Sequence, residues 1–137
     1  DFAFSLIFGV GGESRYDSTT GQLVKRAADA GESGAVCRLT EAQRRMVYAA
    51  IAQLHIDSYP DRYDPQNGTL GSDPSMTLIL SVTADGAVKT VRAEHIALTF
   101  TADNEKGQAF LDVCRTIRDM LTETDAWKAL PDTEPVD

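Results

Sequence analysis

The chain has 137 residues, of which 42% are hydrophobic and 25% are charged, a size and composition typical of one globular domain. Thirteen basic residues against twenty-one acidic ones leave a formal charge of -8, which repels phosphate backbones and argues against a nucleic-acid partner. No apolar run approaches the roughly 18 residues that a membrane span needs. We therefore expect one domain over residues 1–131, followed by a frayed acidic tail over residues 132–137.

Short strands separated by turns are predicted for the first third of the chain. Residues 2–10 alternate bulky apolar side chains with smaller ones, which indicates a strand with one buried face. The glycines at its end lack the lysine and the spacing of a phosphate-binding loop, so they indicate a bulge or a turn. Residues 17–21 have turn composition and predict a hairpin, whose return strand covers residues 23–25. A further short strand is predicted over residues 35–39.

A first helix is predicted to begin after Thr40. Thr40 and Gln43 have the spacing of a capping box, in which each side chain bonds the backbone amide of the other residue. Apolar residues then recur at helical spacing and form one stripe, and the helix is expected to end near Ile56. The stripe consists of Met46, Val47, Ala50, Ile51 and Leu54.

Residues 57–74 form the longest irregular segment, because their prolines and turn pairs exclude a helix or an inner strand. Irregular segments of this length are often functional, so we expect a partner-binding surface here. Its candidate residues are Tyr59, Asp61, Tyr63 and Asp64. The two tyrosines have an alternative role, which is to cover the edge of the core.

The same segment contains several hard oxygen ligands of the kind that calcium prefers. They lack the alternating positions and the final glutamate of an EF-hand loop. A solvated acidic loop is therefore favoured over a calcium site. The residues concerned are Asp57, Asp61, Asp64, Asn67 and Asp73.

Residues 75–94 predict the central hairpin of the sheet. Apolar and polar residues alternate on either side of Asp85-Gly86, a pair that suits a type I′ turn. The turn makes Ala84 the partner of Ala87, and in this register Lys89 is a misfit on the inner face. The other expected pairs are Leu80 with Val91, Leu78 with Ala93, Ile79 with Arg92, Ser81 with Thr90 and Thr77 with Glu94.

A second helix is predicted near the C-terminus. Ile96, Leu98 and Phe100 alternate and are expected to prolong the last strand or to form another. Thr101 or Asp103 is expected to cap the helix that follows. Its apolar stripe consists of Phe110, Val113, Cys114, Ile117, Met120 and Leu121. The whole pattern predicts an α+β fold, with a largely antiparallel sheet of about five strands packed against two main helices.

Few residue combinations suggest catalysis or a metal centre. His55 and His95 are the only histidines, and neither has a close histidine or cysteine that would nucleate a zinc site. Cys37 and Cys114 become neighbours if the second helix packs on the third strand. Two buried thiols are favoured, a disulfide is the alternative in an exported protein, and a catalytic thiol is disfavoured. The sequence contains no serine-hydrolase motif and no convergent carboxylate pair, so we assign no catalytic residue and expect no cofactor.

Four stretches carry a resemblance to a known group of proteins. They are residues 4–12, Tyr16-Asp17 followed by Gly21, Tyr59-Pro60 after the capped helix, and residues 127–131. In this order they resemble small bacterial domains of unknown function that are often found behind export or lipoprotein signals. The resemblance spans nearly the whole chain and implies a location in the cell envelope, but it transfers no catalytic residue.

The sequence therefore favours a non-enzymatic binding module that is exported or lipid-anchored at the bacterial envelope. We expect it to contact a protein or a small ligand through residues 57–74 and the neighbouring strand edge. The alternative is a small enzyme whose site lies between this loop and the sheet and uses His55 or His95 with a nearby carboxylate. Because the chain starts at Asp1 without a methionine, we also expect that a preceding segment was removed.

Overall fold

An antiparallel sheet of six strands organises the fold. The computed structural model describes residues 2–10, 14–27, 31–66 and 75–131. The strands are β1 (Phe2–Phe8), β2 (Ser14–Asp17), β3 (Gln22–Ala27), β4 (Gly31–Val36), β5 (Met76–Ala84) and β6 (Ala87–Ile96). The helices are α1 (Glu41–Leu54), α2 (Glu105–Thr122) and the short α3 (Asp125–Lys128), and a 3₁₀ turn covers Ile56–Ser58. The strands lie in the order β4-β3-β2-β1-β5-β6.

The predicted α+β class with an antiparallel sheet is confirmed, with six strands where about five were expected. The additional strand is β2, which pairs with β1 and with β3. Strands β1 to β4 form a meander, and the β5–β6 hairpin joins the other side of β1. The hairpin therefore lies at one end of the sheet, with β6 at the edge, and its predicted central position is wrong.

The predicted register of the β5–β6 hairpin is confirmed over most of its length. Ala84 pairs with Ala87, and Asp85 and Gly86 have the positive φ angles of 53° and 79° that a type I′ turn requires. The local turn and the apolar alternation therefore determine this pairing together. The confirmed pairs also include Leu80 with Val91, Leu78 with Ala93, Ile79 with Arg92 and Ser81 with Thr90.

Two details of this hairpin depend on surroundings that the local pattern does not reveal. The register shifts within the first three residues of β5, so the expected pair of Thr77 and Glu94 is not among the strand pairs. Lys89 does lie opposite Val82, as expected for the misfit. Its ammonium group lies 3.0 Å from the carboxylate of Asp61. This ion pair compensates the charge of a lysine on the otherwise apolar inner face.

The helices pack on the sheet face that carries the large apolar side chains. Leu6, Leu23 and Leu80 of the sheet are fully buried. They belong to one core cluster with Phe110 and Ile117 of α2, which are also fully buried. Burying one such side chain contributes about 1.5–3 kcal/mol. This layer is therefore the main source of stability.

Helix α1 begins as predicted and ends two residues early. The Thr40 hydroxyl accepts a hydrogen bond from the Gln43 amide at 3.1 Å, and the Gln43 side chain accepts one from the Thr40 amide at 2.7 Å. The capping box is thus confirmed. The helix ends at Leu54 because His55 adopts the left-handed conformation with a φ of 53°.

Two predictions about apolar residues are wrong. Met46 is 58% exposed, since it lies on the flank of the buried stripe formed by Val47, Ile51 and Leu54. Strand β6 ends at Ile96 and is not prolonged. The chain turns instead through Phe100, which has a φ of 55°, and Leu98 is exposed.

Helix α2 has the predicted buried stripe and a different cap. The cap is Asn104, whose side chain accepts a hydrogen bond from the Gly107 amide at 2.6 Å. The expected caps Thr101 and Asp103 are therefore wrong. Within the predicted stripe, Phe110, Val113, Cys114, Ile117 and Leu121 are buried, and Met120 is half-buried.

Strand β4 covers residues earlier in the chain than the predicted strand over 35–39. Cys37 and Leu39 follow it in irregular conformation and are buried. Helix α1 then starts directly after them. Among the helices that the structure describes, none has the length and apolar character to cross a bilayer. The predicted tail over 132–137 lies outside the described residues.

Candidate functional site

The first part of the irregular segment runs along the free edge of β6. The Arg92 amide donates a hydrogen bond to the Asp61 carbonyl at 2.8 Å, and the Tyr63 amide donates one to the Arg92 carbonyl at 2.9 Å. These bonds make Arg62 the parallel partner of Arg92. The predicted neighbourhood of the loop and a strand edge is therefore present. Residues 67–74 of the same segment lie outside the described residues.

A concave surface forms where this segment meets the strand. We call it the edge groove; it has a volume of about 330 Å³. A second hollow of about 380 Å³ adjoins it along β6, and Arg62 and Arg92 line both. The edge groove is lined by Arg62, Tyr63, Asp64, Gln66, Arg92, Glu94 and His95. The adjoining hollow is lined by Asp61, Arg62, Val88, Lys89, Thr90 and Arg92.

Charges of both signs line these two surfaces. Asp61 and Lys89 form an ion pair at 3.0 Å, which fastens the segment to β6. Arg62 reaches the Glu94 carboxylate at the longer distance of 3.5 Å. Within the described residues, no carboxylate lies within ion-pair distance of Arg92. Arg92 therefore keeps a positive charge, and Asp64 a negative one, that no ion pair with another described residue neutralises.

Buried contacts hold the segment in place from behind. Gln66 is only 1% exposed; its amide nitrogen donates to the Thr101 carbonyl at 2.6 Å, and its amide oxygen accepts from the Ala97 amide at 3.0 Å. At Gly107, an added Cβ would lie 2.5 Å from the Pro65 carbonyl oxygen, so the segment and α2 are in close contact. The groove therefore rests on a well-packed support rather than on a free loop.

The two candidate tyrosines lie in different environments. Tyr59 is 4% exposed, its hydroxyl donates to the Lys106 carbonyl at 2.8 Å, and its ring packs against Tyr63 and Phe110. Burial raises the pKa of Tyr59 to about 12. Burial and the nearby charge of Asp64 also raise the pKa of the half-buried Tyr63. Tyr59 thus covers the core, which is the alternative role stated above, while Tyr63 and Asp64 line the groove.

The two histidines of the enzyme hypothesis lie in different parts of the structure, and only one of them is in the groove. His95 lines the edge groove together with Asp64 and Glu94, and its φ of 60° places it in the left-handed region. Within the described residues, His95 makes no hydrogen bond or ion pair with a carboxylate. His55 is exposed at the end of α1 and does not line the groove. The groove therefore contains the components of a histidine–carboxylate pair without a formed pair.

Cys37 and Cys114 are both buried and both free thiols. The candidate disulfide between them is thus absent from the structure. Burial raises the pKa of the Cys114 thiol, which disfavours the nucleophilic thiolate. Neither cysteine lines the edge groove.

The remaining candidate chemistry is that of a metal site. In the described parts of the chain, no group of three or more histidine, cysteine or acidic side chains is placed to hold a metal ion. Two of the calcium candidates, Asn67 and Asp73, lie outside those parts.

Sequence reasoning missed the residues that give the groove its charge. Arg62, Arg92 and Glu94 were not site candidates, although the hairpin register already placed Arg92 and Glu94 on the outer face. Gln66 gave no recognisable signal, since a glutamine in a polar loop is usually exposed.

Comparison with known proteins gives no family assignment. No protein-family model matches the chain, and no curated protein matches it significantly.

Proposed function

We propose that this protein is a non-enzymatic binding module, exported or anchored at the bacterial cell envelope, with the edge groove and the adjoining edge of β6 as its contact surface. The envelope location rests on the sequence resemblance. The contact surface rests on one observation, a charged groove of about 330 Å³ built on buried supports. A charged concave surface held by packed neighbours is preorganised, which lowers the entropic cost of binding.

The backbone of β6 adds to this surface. In the hairpin, residues that alternate with the bonded pairs direct their amide and carbonyl groups away from β5. Arg92 is one of these, because its amide and carbonyl bond the loop segment. By the same alternation, Val88 and Thr90 direct their backbone groups toward the adjoining hollow, and they line it. Within the described parts of the chain, these outward groups of Val88 and Thr90 have no backbone partner, so an extended ligand segment can contact both a charged groove and a strand edge here.

Co-sedimentation with cell-envelope fragments from the source organism tests the proposal. We expect the wild type to sediment with the fragments, and Arg62→Ala and Arg92→Ala to reduce the bound fraction several-fold. Arg45→Ala is the matched control, because Arg45 is an exposed arginine on α1 that pairs with Glu41 outside the groove. Absence of wild-type binding would refute the envelope module. An equal loss in all three variants would refute the edge groove as the contact surface.

A small enzyme is the second candidate, and the shared location of His95, Asp64 and Glu94 in one groove is the observation that favours it. General acid–base catalysis requires a histidine whose proton can be transferred to or from a bound substrate. His95→Gln keeps a similar polar volume and removes this ability. If the protein is a binding module, no reaction on envelope material depends on His95. A reaction detected on envelope material that disappears with His95→Gln would establish the enzyme instead.

A further inference from the structure

Two arginines stand directly opposite each other at the edge of β6. Arg62 and Arg92 are partners in a parallel bridge, so their side chains leave the backbone on the same face. Like charges in directly opposite positions destabilise a strand pair. The cost is unexpected in a chain whose acidic residues outnumber its basic ones by twenty-one to thirteen. A bound anion between the two guanidinium groups would offset this repulsion.

Arg62 and Arg92 share the edge groove with the carboxylates of Asp64 and Glu94, so the formal charges of these four side chains balance. Among these four described side chains, one ion pair forms, between Arg62 and Glu94. Arg62 is 82% exposed along its side chain and reaches Glu94 only at 3.5 Å, which is long for a charge-assisted hydrogen bond. Arg92 is exposed and, within the described residues, forms no ion pair. Asp61 is engaged by Lys89 at 3.0 Å. Two guanidinium groups, with donors that no other described residue uses, therefore face the edge groove and the adjoining hollow.

We propose that Arg62 and Arg92 form a clamp for a phosphate monoester, which identifies the ligand class of the proposed binding surface and rests on that proposal. One arginine suffices for a carboxylate, which it binds in bidentate fashion. Two opposed guanidinium groups supply two positive charges and several outward donors. These match a dianionic phosphate group with three acceptor oxygens.

The overall charge of the protein further limits the class of ligand that the clamp can bind. A formal charge of -8 repels polyanions, so the clamp takes a single phosphate group on an otherwise uncharged molecule. Glu94 is the internal competitor, since its carboxylate occupies one side of Arg62. Removing the charge of Glu94 should therefore strengthen phosphate binding. A general structural defect would not produce such a gain.

Titration of the purified protein with inorganic phosphate at pH 7.5 and constant ionic strength tests the clamp. The readout is the ¹H–¹⁵N NMR spectrum, including the arginine Nε–H signals. We expect saturable shifts in residues 61–64 and 90–95 of the wild type, and a loss of affinity of about ten-fold or more in Arg92→Ala, since a charge-assisted bond is lost. Glu94→Gln is expected to tighten binding by about two-fold or more, as loss of a competing charge predicts. Arg45→Ala, with the same charge change on α1, is expected to bind like the wild type.

The alternative outcomes separate the clamp from the proposed function. Shifts that do not saturate, or an Arg92→Ala protein that binds phosphate like the wild type, would overturn the clamp. Acetate that binds as tightly as phosphate would overturn the phosphate assignment. If phosphate binding fails while co-sedimentation remains sensitive to Arg62→Ala, only the clamp is refuted. If co-sedimentation is insensitive as well, the contact surface fails with it.

Discussion

Tyr59 stabilises the fold through its ring and through its hydroxyl, and two substitutions separate these contributions. The side chain is 4% exposed, its ring packs on Tyr63 and Phe110, and its hydroxyl donates to the Lys106 carbonyl. Truncating a large buried aromatic side chain to alanine costs about 3–5 kcal/mol. Removing only the hydroxyl keeps the ring packing and costs about 1 kcal/mol, the net contribution of one neutral hydrogen bond.

We therefore expect Tyr59→Ala to lower the free energy of unfolding by about 3–5 kcal/mol and Tyr59→Phe by about 1 kcal/mol. For a domain of this size, 1 kcal/mol corresponds to roughly 4 °C in Tm. Urea denaturation followed by circular dichroism gives both free energies. Tyr48→Phe is the matched control, because it removes the same atom from a side chain that is 54% exposed. Its effect should stay within about 0.5 kcal/mol.

A Tyr59→Ala protein as stable as the wild type would refute the buried position of this residue. It would also restore Tyr59 as an exposed anchor for a partner. If the expected loss is observed, weakened partner binding by Tyr59→Ala reports unfolding rather than a lost contact. Variants of Arg62 and Arg92 are then the informative ones, because both side chains are exposed.

Three further predictions concern ionisation, packing and thiol state. Because burial raises the pKa of Tyr59 from 10.0 to about 12, the folded state holds this proton more tightly and stability falls as pH rises between these values. From pH 8 to pH 11 the wild type should lose on the order of 1 kcal/mol more than Tyr59→Phe in urea unfolding, and equal losses would contradict this. Replacing glycine by alanine inside an ordinary helix stabilises a protein by about 1 kcal/mol. Gly107→Ala should instead lower Tm, because the added Cβ would lie 2.5 Å from the Pro65 carbonyl oxygen. A raised Tm would disprove the close contact. Cys37 and Cys114 should resist Ellman's reagent in the native protein and both react after unfolding without reductant, whereas recovery of no thiol would demonstrate a disulfide.

Features that depend on a few neighbouring residues could be predicted from the sequence. The turn at Asp85-Gly86 and the capping box of Thr40 and Gln43 each involve groups within four positions of one another. The apolar alternation then determined the register of the hairpin, because a slip by one residue would bury Arg92. Local chemistry therefore predicted both main helices, the hairpin of β5 and β6 and most of their buried residues, whereas β2 and the bounds of β4 were missed.

Features that depend on distant contacts could not be predicted. Thr101, Asp103 and Asn104 are all good helix caps, and the structure selects Asn104, whose side chain also donates to the Pro65 carbonyl at 3.3 Å. The contact of Arg62 with β6 lies in an irregular segment, where no periodicity indicates a face. The charged side of the candidate site was missed for this reason.

The position of β1 between β2 and β5 has a consequence for the kinetics of folding. The meander of β1 to β4 and the hairpin of β5 and β6 each form from residues close in sequence. They are joined along β1 and β5, where Ile7 pairs with Ile79 about seventy positions away. Closing so long a loop costs entropy before any contact repays it. We expect this junction to limit the refolding rate, so that substitutions along it slow folding while substitutions at the tip of the hairpin mainly accelerate unfolding.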